Sequence, residues 1–446
     1  MKGNGIAAYD GAMSAITSPA TPASRADAPP TLARDVRTIS VVSVAHSGSH
    51  FCQLMVPPLF PWIAPEFGLS NTQLGLLMSV FFVVSGVGQA LAGFVVDRQG
   101  PQRVLFAGLA LLALAALGLG ASPNYATMLV FMALAGLGNC VFHPVDFSIL
   151  NARVHTTRLG HAYAAHGISG SLGWALAPLF VVSIAAWTSW RSALFAVSLA
   201  VGLLLALMGW QRAALGAPLP ARSKREPAAA SEASAGTPAG PGEDRFAFLR
   251  LPAVWACFGF FLVFSAALGG VQSFAPAAAA HMHGISPEQV AMCLSAYMLC
   301  GAAGMVLGGQ LLRDPRRSAL IAALGFGFAA LIALAIGLGH WPAAWVPVLT
   351  GVMGFGSGIA GPSRDLLVKQ ATPPGATGRV YGVVYSGLDA GLVFAPLLFG
   401  VLMDAGLYRA VWVGVAALFA LLIVTALNVK RASGAPAHPA RAPAAS

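Results

Sequence analysis

The chain has 446 residues, of which 57% are apolar and only 9% are charged. Soluble domains carry about 25% charged residues, so this composition excludes a soluble globular protein and predicts one that is embedded in a lipid bilayer. The formal net charge is +10. The positions of the basic residues must decide whether that charge indicates a nucleic-acid partner or a membrane topology.

Apolar runs long enough to cross a bilayer, which takes roughly 20 residues of helix, occur six times before and six times after a polar central segment. They cover residues 39–63, 73–96, 102–121, 125–150, 160–186, 190–210, 249–276, 287–312, 317–339, 343–369, 377–403 and 408–430. The sequence therefore predicts an all-α membrane protein with twelve transmembrane helices.

The segments outside these runs have a different composition. The N-terminal segment is rich in Ala, Pro, Ser and Thr and lacks the charged start and apolar core of a secretory signal. We expect disordered tails at 1–36 and 432–446, because such compositions cannot bury enough apolar surface. Between them we expect an N-terminal half at 37–210, a linker at 211–248 and a C-terminal half at 249–431.

The basic residues give the topology. If the N-terminus lies inside, 23 of the 25 Lys and Arg residues fall in inside segments, and only Arg191 and Arg409 fall outside. The positive-inside rule predicts this asymmetry. Both tails and the linker are therefore expected to be cytoplasmic, in a cell inner (plasma) membrane. The positive charge requires no nucleic-acid partner.

The two halves of the chain look like a parallel repeat. The positions of Arg191 and Arg409 define an offset between the halves, and the same offset aligns further residues that set backbone shape. These pairs include Gly136 with Gly354, Gly138 with Gly356, Pro144 with Pro362, Gly173 with Gly391, and Pro178 with Pro396. We expect two pseudo-symmetric six-helix halves that enclose a cavity at their interface.

The loop after the second run carries Gly93, Asp97, Arg98, Gly100 and Arg103. This pattern matches the loop signature of the major facilitator superfamily, and Trp190-Arg191 followed by Phe195 resembles another of its motifs. Over about residues 38–430 the chain resembles a transporter of that family.

Within the family, the likeness is to the fosmidomycin-resistance-like branch, through His50, the Pro57–Pro61 segment and Phe142-His143-Pro144. The resemblance implies the major facilitator fold and alternating access.

The resemblance also implies a cytoplasmic latch in which Asp97 and the arginines hold the halves together in the outward-open state. Gly93 would allow close helix packing there, and Gly100 would make the turn. A solvated loop without a latch is the alternative. The copy of this loop after the eighth run is degraded, and the family's drug-antiporter motifs are only partly present.

Polar residues inside the apolar runs are candidates for function because they are costly in a bilayer. His46, His50 and Gln53 share one face of the first helix, and Asn139, His143 and Asp146 share one face of the fourth. His166 on the fifth helix lies at the depth of His143 and Asp146, since each residue of a helix adds the same rise along its axis. The pattern predicts a His–Asp–His network that either relays protons or clamps two helices together.

The C-terminal half contributes Arg364, Tyr385 and Asp389, with Asp389 predicted near the midplane. We expect these residues to bind substrate or to couple transport to protons. An ion pair between Asp389 and Arg364 is the structural alternative.

The favoured function is secondary active transport, with proton-coupled efflux of a drug-like or toxic compound. Uptake or exchange of a small organic anion is the alternative, given Arg364 and the histidines. A non-transporting sensor or scaffold on the same fold is a third hypothesis. The sequence holds no nucleotide-binding or hydrolytic motif, so we expect no enzyme, no cofactor and no metal site. The expected partners are a small-molecule substrate, the lipid bilayer and protons, and the expected state is a monomer.

Overall fold

The computed structural model describes residues 31–216, 252–312, 317–371 and 377–434, with the backbone alone at 253, 364–371, 377–385 and 428–434. Its regular structure is entirely helical. The α-helices are α1 (Leu32–Gln53), α2 (Phe60–Phe67), α3 (Asn71–Gln99), α4 (Pro101–Gly120), α5 (Tyr125–Asn139), α6 (Phe142–Arg153), α7 (Leu159–Trp187), α8 (Trp190–Trp210), α9 (Arg212–Leu215), α10 (Pro252–Ser273), α11 (Ala275–His283), α12 (Pro287–Leu311), α13 (Ser318–Leu338), α14 (Trp345–Ala371), α15 (Thr377–Asp404) and α16 (Tyr408–Gly434).

In the described ranges, ten helical segments are long and apolar enough to cross a membrane. The helices α1 and α14 are also of spanning length and complete the set of twelve. The predicted fold class is therefore confirmed.

Three of the predicted runs are interrupted by a short break. The first run breaks after α1, the fourth between α5 and α6, and the seventh between α10 and α11. The first break contains Pro57 and Pro58, and the other two lie just before Pro144 and Pro276. Proline lacks the N–H that would bond the carbonyl four residues earlier, and its ring crowds that carbonyl.

The two halves repeat each other in how their helices pack. At Gly136 on α5 a β-carbon would lie 2.4 Å from the carbonyl oxygen of Phe81, and at Gly354 on α14 it would lie 2.2 Å from that of Tyr297. Both positions therefore depend on glycine for backbone-to-backbone contact. The alignment that pairs Arg191 with Arg409 does not pair the contacted residues: Phe81 and Tyr297 miss each other by two positions. The helix caps Ser70 and Ser286 miss each other by the same two positions. The register that aligns Arg191 with Arg409 thus holds for the later helices of each half and shifts by two in the earlier ones.

The bundle has two distinct ends. We call the end that carries the α3–α4 and α6–α7 connections, with Arg98, Arg103, Arg153 and Arg158, the basic end, and the other the opposite end. At the basic end α1 begins at Leu32, inside the predicted tail, because the buried Asp35 carboxylate accepts hydrogen bonds from Arg158 and from the His155 amide. Most of the predicted tails and linker lies outside the described residues.

Contacts between the halves concentrate away from the basic end. The Asp404 carboxylate, where α15 ends, accepts hydrogen bonds from the backbone amides and side chains of Asn71 and Thr72, where α3 begins. Deeper in the bundle, the Ser79 hydroxyl donates to the Val393 carbonyl over 2.6 Å, and the Ser295 hydroxyl donates to the Ala175 carbonyl over 2.6 Å. These cross-half hydrogen bonds all lie toward the opposite end, so the opposite end is the closed one.

A second anchor at the opposite end lies within the N-terminal half. Arg191 pairs with Glu66 and donates to the carbonyls of Gly120 and Ser122, while the Trp190 indole donates to Glu66. The hydrogen bond from Trp190, together with the charge of Arg191, lowers the pKa of the Glu66 carboxyl against the effect of its partial burial. The Trp-Arg motif thus ties α8 to α2 and to the α4–α5 loop.

Replacing Asp404 by Ala should favour opening of the opposite end. Hydrogen bonds to a charged group contribute about 1.5–3 kcal/mol each, so losing this cap should raise the open population by about tenfold or more. The change can be measured as a longer spin-label distance between A121C and L407C in a background without the native cysteines. Glu288→Gln, which alters an exposed acid at the same end, is the matched control. Identical distance distributions in the two variants would contradict the role of Asp404.

Candidate functional site

The polar residues predicted on the first, fourth and fifth helices meet in the N-terminal half. The residues His46, His50 and Gln53 come from α1, Asn139 from the end of α5, His143 and Asp146 from α6, and His166 from α7. All are buried except His143, which is partly exposed. We call this group the histidine–aspartate cluster.

Asp146 lies at the centre of the cluster, and its side chain is 0% exposed. Its Oδ2 atom lies 3.1 Å from His166 Nε2, in hydrogen-bond geometry. The same oxygen lies 3.0 Å from His46 Nδ1, but that contact does not have the geometry of a hydrogen bond. One carboxylate oxygen therefore contacts imidazoles from two other helices.

The imidazole rings themselves are in contact. The rings of His46 and His166 are stacked with centroids 3.5 Å apart. His143 lies 5.2 Å from His46 between centroids, and His50 lies 4.4 Å from His46 and 6.2 Å from His143. The Trp174 ring packs 4.2 Å from that of His50. Four histidines thus form one continuous group around a single carboxylate.

An amide and hydroxyl network extends the cluster away from Asp146. The Asn139 side-chain oxygen accepts hydrogen bonds from Ser49 over 2.7 Å and from Gln53 over 3.1 Å. Its nitrogen donates to Ser85 over 2.8 Å, and the Trp174 indole donates to Gln53 over 2.9 Å. This neutral network fixes the side-chain orientations where α1, α3, α5 and α7 meet.

The contact between His166 and Asp146 agrees with the depth argument made from the sequence. The sequence placed His46 and His50 on a separate helix face and did not predict that they join the same group. Ser49, Ser85 and Trp174 were not identified at all, because isolated serines and a tryptophan in apolar helices give no signal above background. Whether the cluster moves protons or clamps helices stays a hypothesis.

In the C-terminal half, Asp389 is half-buried on α15 and faces the N-terminal half. A β-carbon on Gly86 of α3 would lie 2.9 Å from Asp389 Cβ and 3.2 Å from its Oδ2. Among the described residues, Asp389 has neither a hydrogen bond nor an ion pair. Arg364 and Tyr385 lie on α14 and α15, but their side chains are outside the described residues, so their predicted roles stay predictions.

The predicted latch loop is open in this conformation. Gly100 makes the turn between α3 and α4 at φ 84°, as expected of a glycine. A β-carbon at Gly93 would contact nothing within 4 Å, so the close packing expected at Gly93 is not found here. Asp97, Arg98 and Arg103 are exposed, and Asp97 forms no ion pair with any described residue. The latch remains a prediction for a conformation in which the basic end is closed.

Comparison with known proteins places these features in context. The family model of the Major Facilitator Superfamily matches residues 42–346 and 266–445. The fosmidomycin resistance protein of Escherichia coli (strain K12) is 25% identical over 78% of this chain and 81% of its own length. An uncharacterised transporter of the same superfamily, YfnC of Bacillus subtilis (strain 168), is 28% identical over 40% of this chain, and that match spans only 44% of YfnC.

A solved structure shares the fold. The crystal structure of a bacterial homologue of the human lysosomal transporter Spinster, in an inward-facing and occupied conformation, superposes with a TM-score of 0.66. It covers 89% of this chain and 95% of its own, at 15% sequence identity. At that identity the likeness concerns the fold alone.

Replacing Asn139 by Ala should destabilise the protein. The substitution leaves Ser49, Gln53 and Ser85 short of a partner inside the bundle, and each unsatisfied buried group costs about 1–3 kcal/mol. We expect a lower melting temperature for the purified protein in detergent. Asn151→Ala, which removes an exposed asparagine that accepts a bond from Tyr163, should change it little. Equal shifts in the two variants would contradict a structural role for the network.

Proposed function

Because the chain belongs to the Major Facilitator Superfamily, we propose that it is a secondary active transporter that exports a small drug-like or toxic compound in exchange for protons. The observation that carries the proposal is the position of Asp389, an acidic side chain at the contact between the two halves. The halves move against each other in alternating access, so a titratable group at their contact can link proton binding to that movement.

The orientation follows from charge. The positive-inside rule assigns the basic end, the linker and both termini to the cytoplasm. The conformation described above is then closed toward the outside by Asp404 and open toward the inside. Transport requires the reverse state, in which Asn71 and Thr72 separate from Asp404 and the Asp97 loop closes the basic end.

The surroundings of Asp389 support the coupling role. Asp97 and Arg98 are the charged residues of α3, and they lie at its basic end, about three helical turns beyond Gly86. The α10 helix, which packs against α15, has no charged residue, and the charged residues of α16 lie near its ends.

Within the described side chains, Asp389 therefore faces no cation. A carboxylate without a cation is costly in an apolar setting, and protonation removes that cost while the halves are in contact. When the halves part, water can solvate the carboxylate and accept the proton.

The direction of transport is proposed from a relative that aligns over most of both chains. That relative is named for resistance to fosmidomycin, and resistance is consistent with export of a toxic compound. Fosmidomycin is therefore the first compound to test with this chain.

Asp389→Asn should abolish proton-driven flux and leave counterflow intact, because the amide preserves shape but cannot release a proton. The measurement is fosmidomycin movement in proteoliposomes, with and without a pH gradient. Glu288→Gln should leave both activities unchanged. If the Asp389→Asn variant retained the pH dependence of the unaltered protein, Asp389 would have no coupling role.

Expression of the chain in Escherichia coli cells without their own fosmidomycin resistance protein should raise the inhibitory concentration of fosmidomycin several-fold. Export lowers the internal concentration of the compound, so the cells should also accumulate less of it. Higher accumulation, and greater sensitivity, would contradict export and favour the alternative of uptake.

A further inference from the structure

The histidine–aspartate cluster brings metal-ligating atoms together from three helices. His46 on α1, His143 on α6 and His166 on α7 each offer a ring nitrogen, and these nitrogens lie within 4.8 Å of one another. The three residues are far apart in sequence and belong to no repeat, so their convergence is a property of the tertiary fold. Ring nitrogens this close together from three imidazoles could share one cation.

Asp146 supplies a further donor beside two of these imidazoles. Its Oδ2 lies 3.0 Å from His46 Nδ1 and 3.1 Å from His166 Nε2. In a tetrahedral zinc site the ligands lie about 2.0–2.1 Å from the metal, so neighbouring donor atoms are about 3.3 Å apart. The two contacts of Asp146 are already close to that separation. To reach that donor–donor separation on binding a metal, the imidazole nitrogens would need to approach each other by about 1 Å or more.

Several atoms of the cluster that could bind a metal form no hydrogen bond. His46 Nδ1 and Asp146 Oδ1 are buried without a hydrogen-bond partner in the described structure, and so are both ring nitrogens of His50 beside them. Buried polar atoms are normally paired. A cation held by His46, His166 and Asp146 would use His46 Nδ1 and would satisfy the contact that hydrogen-bond geometry does not explain.

The type of donor selects the type of cation. Imidazole nitrogen suits Zn²⁺, Cu²⁺, Ni²⁺ and Fe²⁺, whereas Mg²⁺ and Ca²⁺ require mainly oxygen ligands. We propose that His46, His143, His166 and Asp146 bind one borderline divalent transition-metal cation of the Zn²⁺ class. Because His143 is the partly exposed member, it marks the side from which the ion enters.

Surrounding residues hold this geometry. A β-carbon at Gly170 would lie 3.1 Å from His46 Nε2 and 2.9 Å from His50 Cε1, so the bare α7 backbone is what lets these rings approach it. His50 in turn packs between His46 and Trp174. The bound ion would join α1, α6 and α7 within one half, and it would not cross the interface at which Asp389 lies.

The test is equilibrium binding to the full-length protein in detergent, stripped with chelator and carrying no histidine tag. Zn²⁺ should bind at one equivalent per chain by calorimetry, and Co²⁺ should give the visible spectrum of a four-coordinate site. X-ray absorption of the zinc complex should report imidazole nitrogen and carboxylate oxygen neighbours. Mg²⁺ in excess should not displace the ion. A failure to bind Zn²⁺ and Co²⁺ would overturn the proposal, as would a spectrum with sulfur or with oxygen alone.

Variants locate the site. His46→Gln, His166→Gln and Asp146→Ala should each weaken Zn²⁺ binding by at least the roughly 10–100-fold typical of losing an outer-shell partner, since each removes a ligand. The double variant His281→Gln, His283→Gln is the matched control: these histidines end α11 at the opposite end, where His281 stacks on Tyr408 and His283 contacts the Ile336 carbonyl. Loss of binding in the control but not in the cluster variants would overturn the assignment. If a cluster variant fails to fold, the absorption spectrum of the unaltered protein still decides. Since no flux is measured, this result stands apart from the proposed export.

Discussion

The interior of a bilayer offers no water to a polar group, and this constraint organises the N-terminal half. A charged side chain at the centre of a membrane helix costs at least about 2.5–3.5 kcal/mol. Asp146 is fully buried, so the protein must supply its partners. They come from α1 and α7, as His46 and His166, and each is itself packed against further rings. One carboxylate of α6 therefore gathers side chains from α1 and α7.

The same constraint explains what the sequence could and could not predict. Apolar runs and basic loops are each visible within a single segment of the sequence. The helices of the structure lie close to the predicted runs. The pairing of His166 with Asp146 was also accessible, because two adjacent antiparallel helices have comparable depths. The inclusion of His46 and His50 was not, since it depends on the rotation of α1 about its axis. Asp404 gave no signal either. Its role exists only where the end of α15 meets the start of α3, and these two helix ends belong to opposite halves of the chain.

The two halves match at residues where helix backbones pack, and they differ at the buried histidines and acids. Gly136 and Gly354 make equivalent contacts in the two halves. In the register that aligns these glycines, however, His143, Asp146 and His166 correspond to Gly361, Arg364 and Val384. Conversely, Asp389 corresponds to Ser171. Duplication of a backbone places no demand on the side chains that face the interior, so the halves could diverge there. One half concentrates its polar atoms within itself, and the other presents an acid to its partner.

That division suits the proposed transport cycle, in which the halves separate. Of the contacts between the halves, those of Ser79 and Ser295 are single hydroxyl bonds to backbone carbonyls, and those of Asp404 lie at the end of the bundle. Water can replace each of them as the halves part, so little unpaired polarity is created. The contacts of Asp146 with His46 and His166 could not be broken so cheaply, because all three side chains are buried. They lie within a half and need not break during the movement. In the proposed transport cycle the fully buried Asp146 would stay within one half, and the bonds that water can replace would lie where the halves part.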